Sequence, residues 1–364
     1  MTSHMKAWRL ERPGRALTFK DVPIPEPRSG SVLVRIEVST LMSYMKGYVE
    51  GRLPFYNPPK VEYTIGTNGV GIVEAVGGDV WHIKPGQRVL ISSHFIARDN
   101  VDDPNQILIG LTAGTGADAM LSDWPDGTLA EYALVPVEAV TPVDGLDHVD
   151  AAHLAAVSRC IIPFGGLLRG RLAAGETLVV TGATGAYGTA AVLLAVAMGA
   201  ARVVAAGRNR VRLEAIAEVG GPRVATVVLK GEPAEDAAAL RAAAGGGAHM
   251  AFDMVGNATD PNATLAALSS LHRGGRLVLM GSMTTPLPVP YTLVMLNDWE
   301  ILGQFMYPAR AYGRLLELLR SGLLDVGRIQ PRLYPLSNLY EAMDVAAAAS
   351  NFEYVVMQPD YRGK

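Results

Sequence analysis

Three scarcities narrow the chemistry open to this chain. Among 364 residues there is one cysteine, Cys160. A single thiol can build neither an internal disulfide framework nor a multi-cysteine zinc lobe, and it suits a reducing cytoplasm. Positive charge is not in excess, because 32 Lys and Arg stand against 35 Asp and Glu, for a formal net charge of -3. That balance offers no basic surface to nucleic acid or to an anionic membrane, and a small-molecule partner is the expectation. Long apolar runs are also lacking. The longest, such as Ala190 to Met198, are too short to span a bilayer and sit beside glycines, so no membrane segment is expected. The opening M-T-S-H-M-K-A-W has no basic region ahead of an apolar run, so no secretory leader is expected either. No G-x-S-x-G elbow, Walker loop or paired-carboxylate motif points to a hydrolase or a kinase.

What is present is apolar mass, at 49% hydrophobic and 18% charged residues. Over this length it is enough for two cores. Up to about Pro142 the chain reads as short strands broken by Pro and Gly: Val32 to Val38, Gly69 to Val76, Arg88 to Ser92 and Ala130 to Val135. Between them, His94 to Pro125 is polar and weakly periodic, and reads as a long surface excursion outside the core. After Ala151 strands and helices alternate: Thr177 to Val180, Ala190 to Met198, Val203 to Ala206, Arg212 to Ala217, Met250 to Met254, Leu265 to Leu271, Arg276 to Met280. That rhythm predicts an α/β fold with a doubly wound parallel sheet. A helix from Arg310 to Leu319 stops at Gly322, and a last strand, Tyr354 to Met357, is free to rejoin the first half.

The strongest local signal is L-V-V-T-G-A-T-G-A-Y-G, Leu178 to Gly188, an apolar strand entering a glycine turn and then an apolar helix. Gly185 lets backbone approach a pyrophosphate, Gly188 lets the helix pack on the strand, and the free N–H groups of the helix face the anion. Gly182, Ala183, Thr184, Gly185, Ala186, Tyr187 and Gly188 are therefore candidate cofactor contacts, with Ala183 in place of the first fingerprint glycine. About 20 residues on, where an acid would hold both ribose hydroxyls of NAD, the second strand ends in Gly207, Arg208 and Asn209. A glycine leaves room for a 2′-phosphate, and Arg208 with Arg210 or Arg212 supplies a guanidinium for it, so NADP(H) is favoured over NAD(H). Two further strand ends, at Val255 and Gly256 and at Gly281 and Ser282, lie where adenosine or the nicotinamide amide would be held.

Separated motifs now fall in order: M-K-A-W, S-V-L-V-R-I-E-V-S, I-G-T-N-G-V-G-I-V-E-A-V-G, P-G-Q-R-V, G-T-L-A-E-Y, A-A-G-E-T-L-V-V-T-G and R-G-G-R-L-V-L-M-G. Over essentially its whole length the chain resembles the medium-chain dehydrogenase/reductase superfamily, and within it the zinc-free, quinone-oxidoreductase-like branch. The resemblance implies a GroES-like, mostly-β catalytic domain from both chain ends, residues 1–158 and 308–364, and a Rossmann domain over 159–307. It also implies self-association through an edge of the Rossmann sheet. The run Pro286 to Leu296 is a plausible edge, its prolines blocking continued pairing, and a homodimer is expected.

In zinc-dependent members a cysteine stands where this chain has Met42, a G-H-E motif where it has Gly66-Thr67-Asn68, and a third ligand near Ser158. Met, Thr and Ser do not make a zinc site, so no metal is expected. Hydride transfer then rests on proximity to the nicotinamide, hydrogen bonds to a developing oxyanion and a local proton donor. Tyr44 takes the place of the relay hydroxyl of zinc-dependent relatives, and Ser43 and Asn68 are the other candidate catalytic groups. Met42, Thr67, His94 and Ser158 are expected to line the substrate pocket, where Thr67, Asn68, Ser43 and Ser158 either meet substrate or satisfy one another. The leading expectation is an NADPH-dependent reductase of a conjugated carbonyl, a quinone or an enone. The alternatives are a zinc-free alcohol or carbonyl dehydrogenase and a non-catalytic NADPH-binding sensor or structural protein.

Overall fold

The segment Ser31–Leu41, S-V-L-V-R-I-E-V-S-T-L, is apolar at nearly every position and buried along almost all of its length. A strand buried on both faces must be central, and this one is. It pairs antiparallel with Gly69–Val76 on one side and with Glu353–Gln358 on the other, while Tyr132–Pro136 pairs along its first half. Arg88–Ile91 and Val140–Pro142 extend the sheet one way and Gln330–Pro335 the other. The last strand, expected at Tyr354 to Met357, thus rejoins the first half. The computed structural model describes residues 3–349 and 351–361.

Chain contacts divide these residues into two units. One takes the chain up to Ser158, Ile329–Ala349 and the residues from Glu353 on; the other is essentially Arg159–Arg328. The second unit therefore runs past the expected limit of 307 and keeps the helix Ala311–Arg320. Local packing explains this: Tyr307 and Tyr312 are buried edge to face at 5.5 Å, and Arg328 donates to the carbonyl of Val219 at 3.1 Å.

The stretch His94 to Pro125 is not the surface excursion that its polarity suggests. It forms a small antiparallel sheet, His94–Ile96, Gln106–Leu108 and Thr112–Ala113, and a helix, Asp118–Asp123. Phe95, Ile107, Ile109, Leu121 and Trp124 join Val34, Ile36, Val89 and Ile91 in the core of the first unit.

The second unit is a six-stranded sheet, parallel at every pairing, in the order Val224–Val228, Arg202–Gly207, Thr177–Thr181, Ala248–Asp253, Leu271–Leu279, Glu300–Gly303. Chain order reverses between Thr177–Thr181 and Ala248–Asp253, so the crevice at their carboxyl ends is the topological switch point where such sheets bind ligands. The edge strand is Glu300–Gly303, which corrects the placement of the edge at Pro286 to Leu296. Proline withholds its N–H from a ladder, and after Pro290 the chain turns into a short helix, Tyr291–Leu296, with no buried residue.

The helical stretch Ala151–Arg169 is long and apolar enough to cross a membrane, but 78% of its 18-residue apolar window is buried inside the protein. Sequence reasoning overlooked this stretch, which forms two successive helices, Ala151–Ala155 and Val157–Arg169.

Candidate active site

In the second unit the site starts from backbone. Gly182 follows the strand Thr177–Thr181 at φ +67, and a Cβ there would stand 2.7 Å from the carbonyl of Met254, so the turn requires glycine. Gly188 lies in the first turn of the helix that follows, where a Cβ would come 2.1 Å from the carbonyl oxygen of Gly182. Gly185 differs. It is exposed, it precedes the helix Ala186–Ala197 with no side chain capping that helix, and a Cβ would meet only the Gly182 oxygen at 3.3 Å. The first turn of this 12-residue helix thus has no capping side chain and an exposed glycine before it, which fits the pyrophosphate of a dinucleotide. Ala183 is buried beneath the turn, while Thr184, Ala186 and Tyr187 are half-buried around it.

Reasoning from sequence missed Arg159. Buried at the start of this unit, it donates through Nε to the carbonyl of Ala186 at 2.7 Å and so sets a guanidinium under the first turn of the phosphate helix. A lone arginine inside the apolar run V-S-R-C-I-I-P-F was the available signal. Its neighbour Cys160 is fully buried, and burial pushes that thiol up to about 12, so it provides no thiolate nucleophile at neutral pH.

At the end of Arg202–Gly207, a Cβ on Gly207 would lie 3.0 Å from Thr184. Asn209 caps the next helix, its Oδ1 accepting from the Arg212 N–H at 3.1 Å. Arg208, Arg210 and Arg212 are exposed, and among the described residues none of them has an ion-pair partner. At the switch point, buried Asp253 accepts from Thr181 Oγ1 at 2.8 Å and Thr264 Oγ1 at 3.0 Å, tying the two central strand ends together. Burial holds its carboxyl above the usual carboxylate range. Gly256–Ala258 and Ser282–Met283 pair as a small parallel ribbon, and the Ser282 N–H donates to the Val255 carbonyl at 3.0 Å. These two backbone groups, expected as cofactor contacts, are thus committed to each other. A Cβ on Gly281 would stand 2.4 Å from the Val255 oxygen, so that glycine permits the close approach.

In the first unit the register Ser39↔Gly69 sets the end of the central strand, which leads to Met42, beside the chain entering at Thr67. The Thr40 N–H donates to the Asn68 carbonyl at 2.9 Å, and the helix Ala151–Ala155, which leads to Ser158, packs on both strands. Met42, Thr67, Asn68 and Ser158 are all buried, whereas Ser43 is exposed. Asn68 is a strut in part: its Oδ1 accepts from the Ser93 N–H at 2.8 Å. His94 is buried in a strand, with Nε2 held by Gln106 at 2.9 Å. Thr67 and Ser158 stand apart from these. At 3% and 0% exposure, each carries a hydroxyl that has no hydrogen-bond partner among the described residues. The possibility that they satisfy one another is therefore set aside.

Tyr44, half-buried at the start of the short helix Met45–Val49, is the outer member of a tyrosine cluster. Its ring lies 6.1 Å from that of Tyr56, whose hydroxyl it hydrogen-bonds. Tyr56 packs edge to face on Tyr48 at 5.5 Å, and the Tyr48 and Tyr63 hydroxyls meet at 2.5 Å. Burial pushes Tyr48, Tyr56 and Tyr63 above the ordinary phenol range, Tyr63 to about 12, so the inner members stay protonated.

As donors to a zinc ion, a thioether and two hydroxyls do not fit: a catalytic zinc needs three good N, S or O ligands, normally thiolate, imidazole or carboxylate. Among the described residues no group of three or more His, Cys, Asp or Glu is placed to hold a metal.

A family model described as an alcohol dehydrogenase GroES-like domain matches residues 28–145, and one described as a zinc-binding dehydrogenase matches residues 186–321. An alcohol dehydrogenase of Cupriavidus necator is 28% identical over 368 residues, spanning 95% of this chain and 96% of its own. Two solved structures share the fold. One, described as a zinc-binding dehydrogenase from Sinorhizobium meliloti 1021 bound to NADP, superposes with a TM-score of 0.79 at 24% identity, covering 98% of this chain and 100% of that one. The other, a short chain alcohol dehydrogenase from E. coli CFT073 complexed with NADH, gives 0.80 at 19% identity, covering 98% and 99%.

Proposed function

The chain belongs to the medium-chain dehydrogenase/reductase superfamily of nicotinamide-dependent oxidoreductases, and within it we propose a zinc-independent, NADPH-dependent reductase of a conjugated carbonyl such as a quinone or an enone. The observation that carries this reading is the set Met42, Thr67 and Ser158, which offers no competent metal ligands but keeps two buried, unsatisfied hydroxyls. Buried donors without partners cost about 1–3 kcal/mol each, and an oxygen of the substrate would repay that cost at the moment charge develops on it. Related structures hold NADP in one case and NADH in the other and do not discriminate. The preference for NADPH rests on this chain's own Gly207 and its exposed arginines, Arg208 and Arg212.

When bound, the reduced nicotinamide supplies hydride to a substrate carbon. This chain's part is to hold the pyrophosphate on Gly182 to Gly188, to orient the substrate, and to donate hydrogen bonds from Thr67 and Ser158 to its oxygen. The Tyr44 hydroxyl, hydrogen-bonded to Tyr56, is the local proton donor of this reading. In the second reading, a zinc-free alcohol or carbonyl dehydrogenase suggested by the Cupriavidus relative, Tyr44 itself stabilises the alkoxide. Tyr44→Phe separates the two: collapse of simple carbonyl reduction supports the second, and little change supports the first. A third reading, a non-catalytic NADPH-binding protein, gains from NADPH bound but not consumed across a broad substrate panel.

Self-association belongs to the same proposal. Val289, Tyr291, Leu293, Met295 and Leu296 are exposed together shortly before the edge strand Glu300–Gly303, a surface suited to a second copy. A solution mass near the chain's 38.6 kDa would count against a dimer.

The central test is a fluorescence titration with NADPH and NADH, with metal analysis of the same sample. Tighter binding of NADPH without stoichiometric zinc is the expected result. Stoichiometric zinc, or a preference for NADH, overturns the corresponding half of the proposal.

A further inference from the structure

Four arginines of the second unit converge on one cavity of about 410 Å³: Arg169 and Arg171 from the end of the helix Val157–Arg169, and Arg310 and Arg314 from the start of the helix Ala311–Arg320. Two of them are partly engaged. Arg171 pairs with Glu300 at 2.5 Å, and Arg169 reaches the carbonyl of Gly303 at 3.4 Å through Nε. Arg310 and Arg314, four residues apart and both exposed, have no ion-pair partner among the described residues. Like charges at this spacing on a helix repel. The cluster thus sets four guanidiniums against the carboxylate of Glu300, in a chain whose net charge is -3. Its framework is fixed, because buried Tyr307 and Tyr312 pack against each other beneath the loop that carries Arg310.

This cavity is separate from the phosphate turn. Gln304, on its wall, follows the edge strand Glu300–Gly303, and the sheet order puts that strand three places from Thr177–Thr181. Three strand spacings are roughly 14 Å. The dinucleotide proposed at the switch point would leave these arginines unused.

We infer that the cavity of Arg169, Arg171, Arg310 and Arg314 is a second ligand site, for a small molecule carrying two or more linked phosphates. Guanidinium forks match phosphate oxygens two at a time. Excess cationic charge in a concavity calls for several negative charges close together, more than one carboxylate supplies. The volume suits a diphosphate with a small organic group, and the basic residues are gathered in a recess of the size of a small-molecule pocket.

Calorimetric titration of the full chain with inorganic pyrophosphate, at constant ionic strength, tests this. Saturable binding is expected, weakened by about tenfold in R310A/R314A and equally in R310Q/R314Q, and unchanged in R208A/R212A. All these side chains are exposed, and unchanged melting temperatures would show that the variants fold. Inorganic phosphate should bind more weakly than pyrophosphate. Binding kept at full strength in R310A/R314A, whether or not R208A/R212A loses it, would mean that pyrophosphate reads the nucleotide site at Gly182 to Gly188 or beside it, and would overturn the inference. So would the absence of saturation, or equal affinity for phosphate and pyrophosphate.

Discussion

The two units of this chain solve different problems with different materials. Around Gly182, Gly185 and Gly188 the second unit presents backbone, and what matters is the absence of side chains. Around Met42, Thr67 and Ser158 the first unit presents side chains, and what matters is their identity. A backbone cradle admits few substitutions, since most would place a Cβ inside another atom. A side-chain pocket can change its chemistry at one position after another while the strands beneath it stay the same.

The most damaging way to break this contrast is Gly188→Val. Its Cβ would stand 2.1 Å from the Gly182 oxygen, and neither backbone can yield without opening the helix from the strand. A loss of at least about 3 kcal/mol is expected, read as a lower denaturant midpoint, together with loss of cofactor binding. Gly185→Ala sharpens the point. At φ -81 and with only a 3.3 Å contact, alanine fits the folded chain, so stability should hold while nicotinamide affinity drops by about tenfold as the methyl group meets the phosphate.

The substrate half should respond in the opposite sense. Thr67→Val and Ser158→Ala each remove a buried hydroxyl that has no partner among the described residues. Stability should be unchanged or higher by about 1 kcal/mol, while turnover falls by about ten- to a hundredfold. Variants that lose stability and keep turnover would show that these hydroxyls serve the fold alone.

The same contrast explains what was legible in the sequence. Strand, glycine turn and helix at Leu178 to Gly188 each leave a local signature, and the alternation after Ala151 carried the parallel order. The segment His94 to Pro125 did not, because strands of two or three residues, such as Thr112–Ala113, are too short for a period to register. Its buried Phe95, Ile107, Ile109 and Trp124 are separated by polar turns that dominate a window average. Pro286 to Leu296 misled for the opposite reason: apolar residues at this density suggest a strand, but they form the exposed helix Tyr291–Leu296. The site residues could be placed from motif order, but not their hydrogen bonds. That Asn68 holds Ser93, that Tyr44 leans on Tyr56 and that Thr67 and Ser158 stay unsatisfied depend on contacts between distant segments.

The smallest expected effect lies at the opposite end of the second unit's sheet from the switch point. Nδ1 of His249 accepts from the Thr177 N–H at 3.1 Å, at the start of the first strand of the sheet, and its ring stands edge to face on His272 at 4.5 Å. Arg276, tied to Glu176 at 2.5 Å, donates to the His249 carbonyl at 3.3 Å. Burial first, then His272 and Arg276, hold His249 below the ordinary histidine value of 6.5, with Glu176 acting against them. A lowered histidine binds fewer protons in the folded chain than in the unfolded one. Its contribution to stability is therefore complete above pH 6.5 and lost as the pH falls through the folded value. Protonation at Nδ1 would also remove the acceptor that Thr177 uses. The wild-type urea midpoint should drop more between pH 7.5 and pH 5.5 than that of His249→Gln, because groups elsewhere titrate alike in both chains. Equal drops in the two proteins would remove His249 from the acid response and leave the base of the Rossmann sheet indifferent to pH.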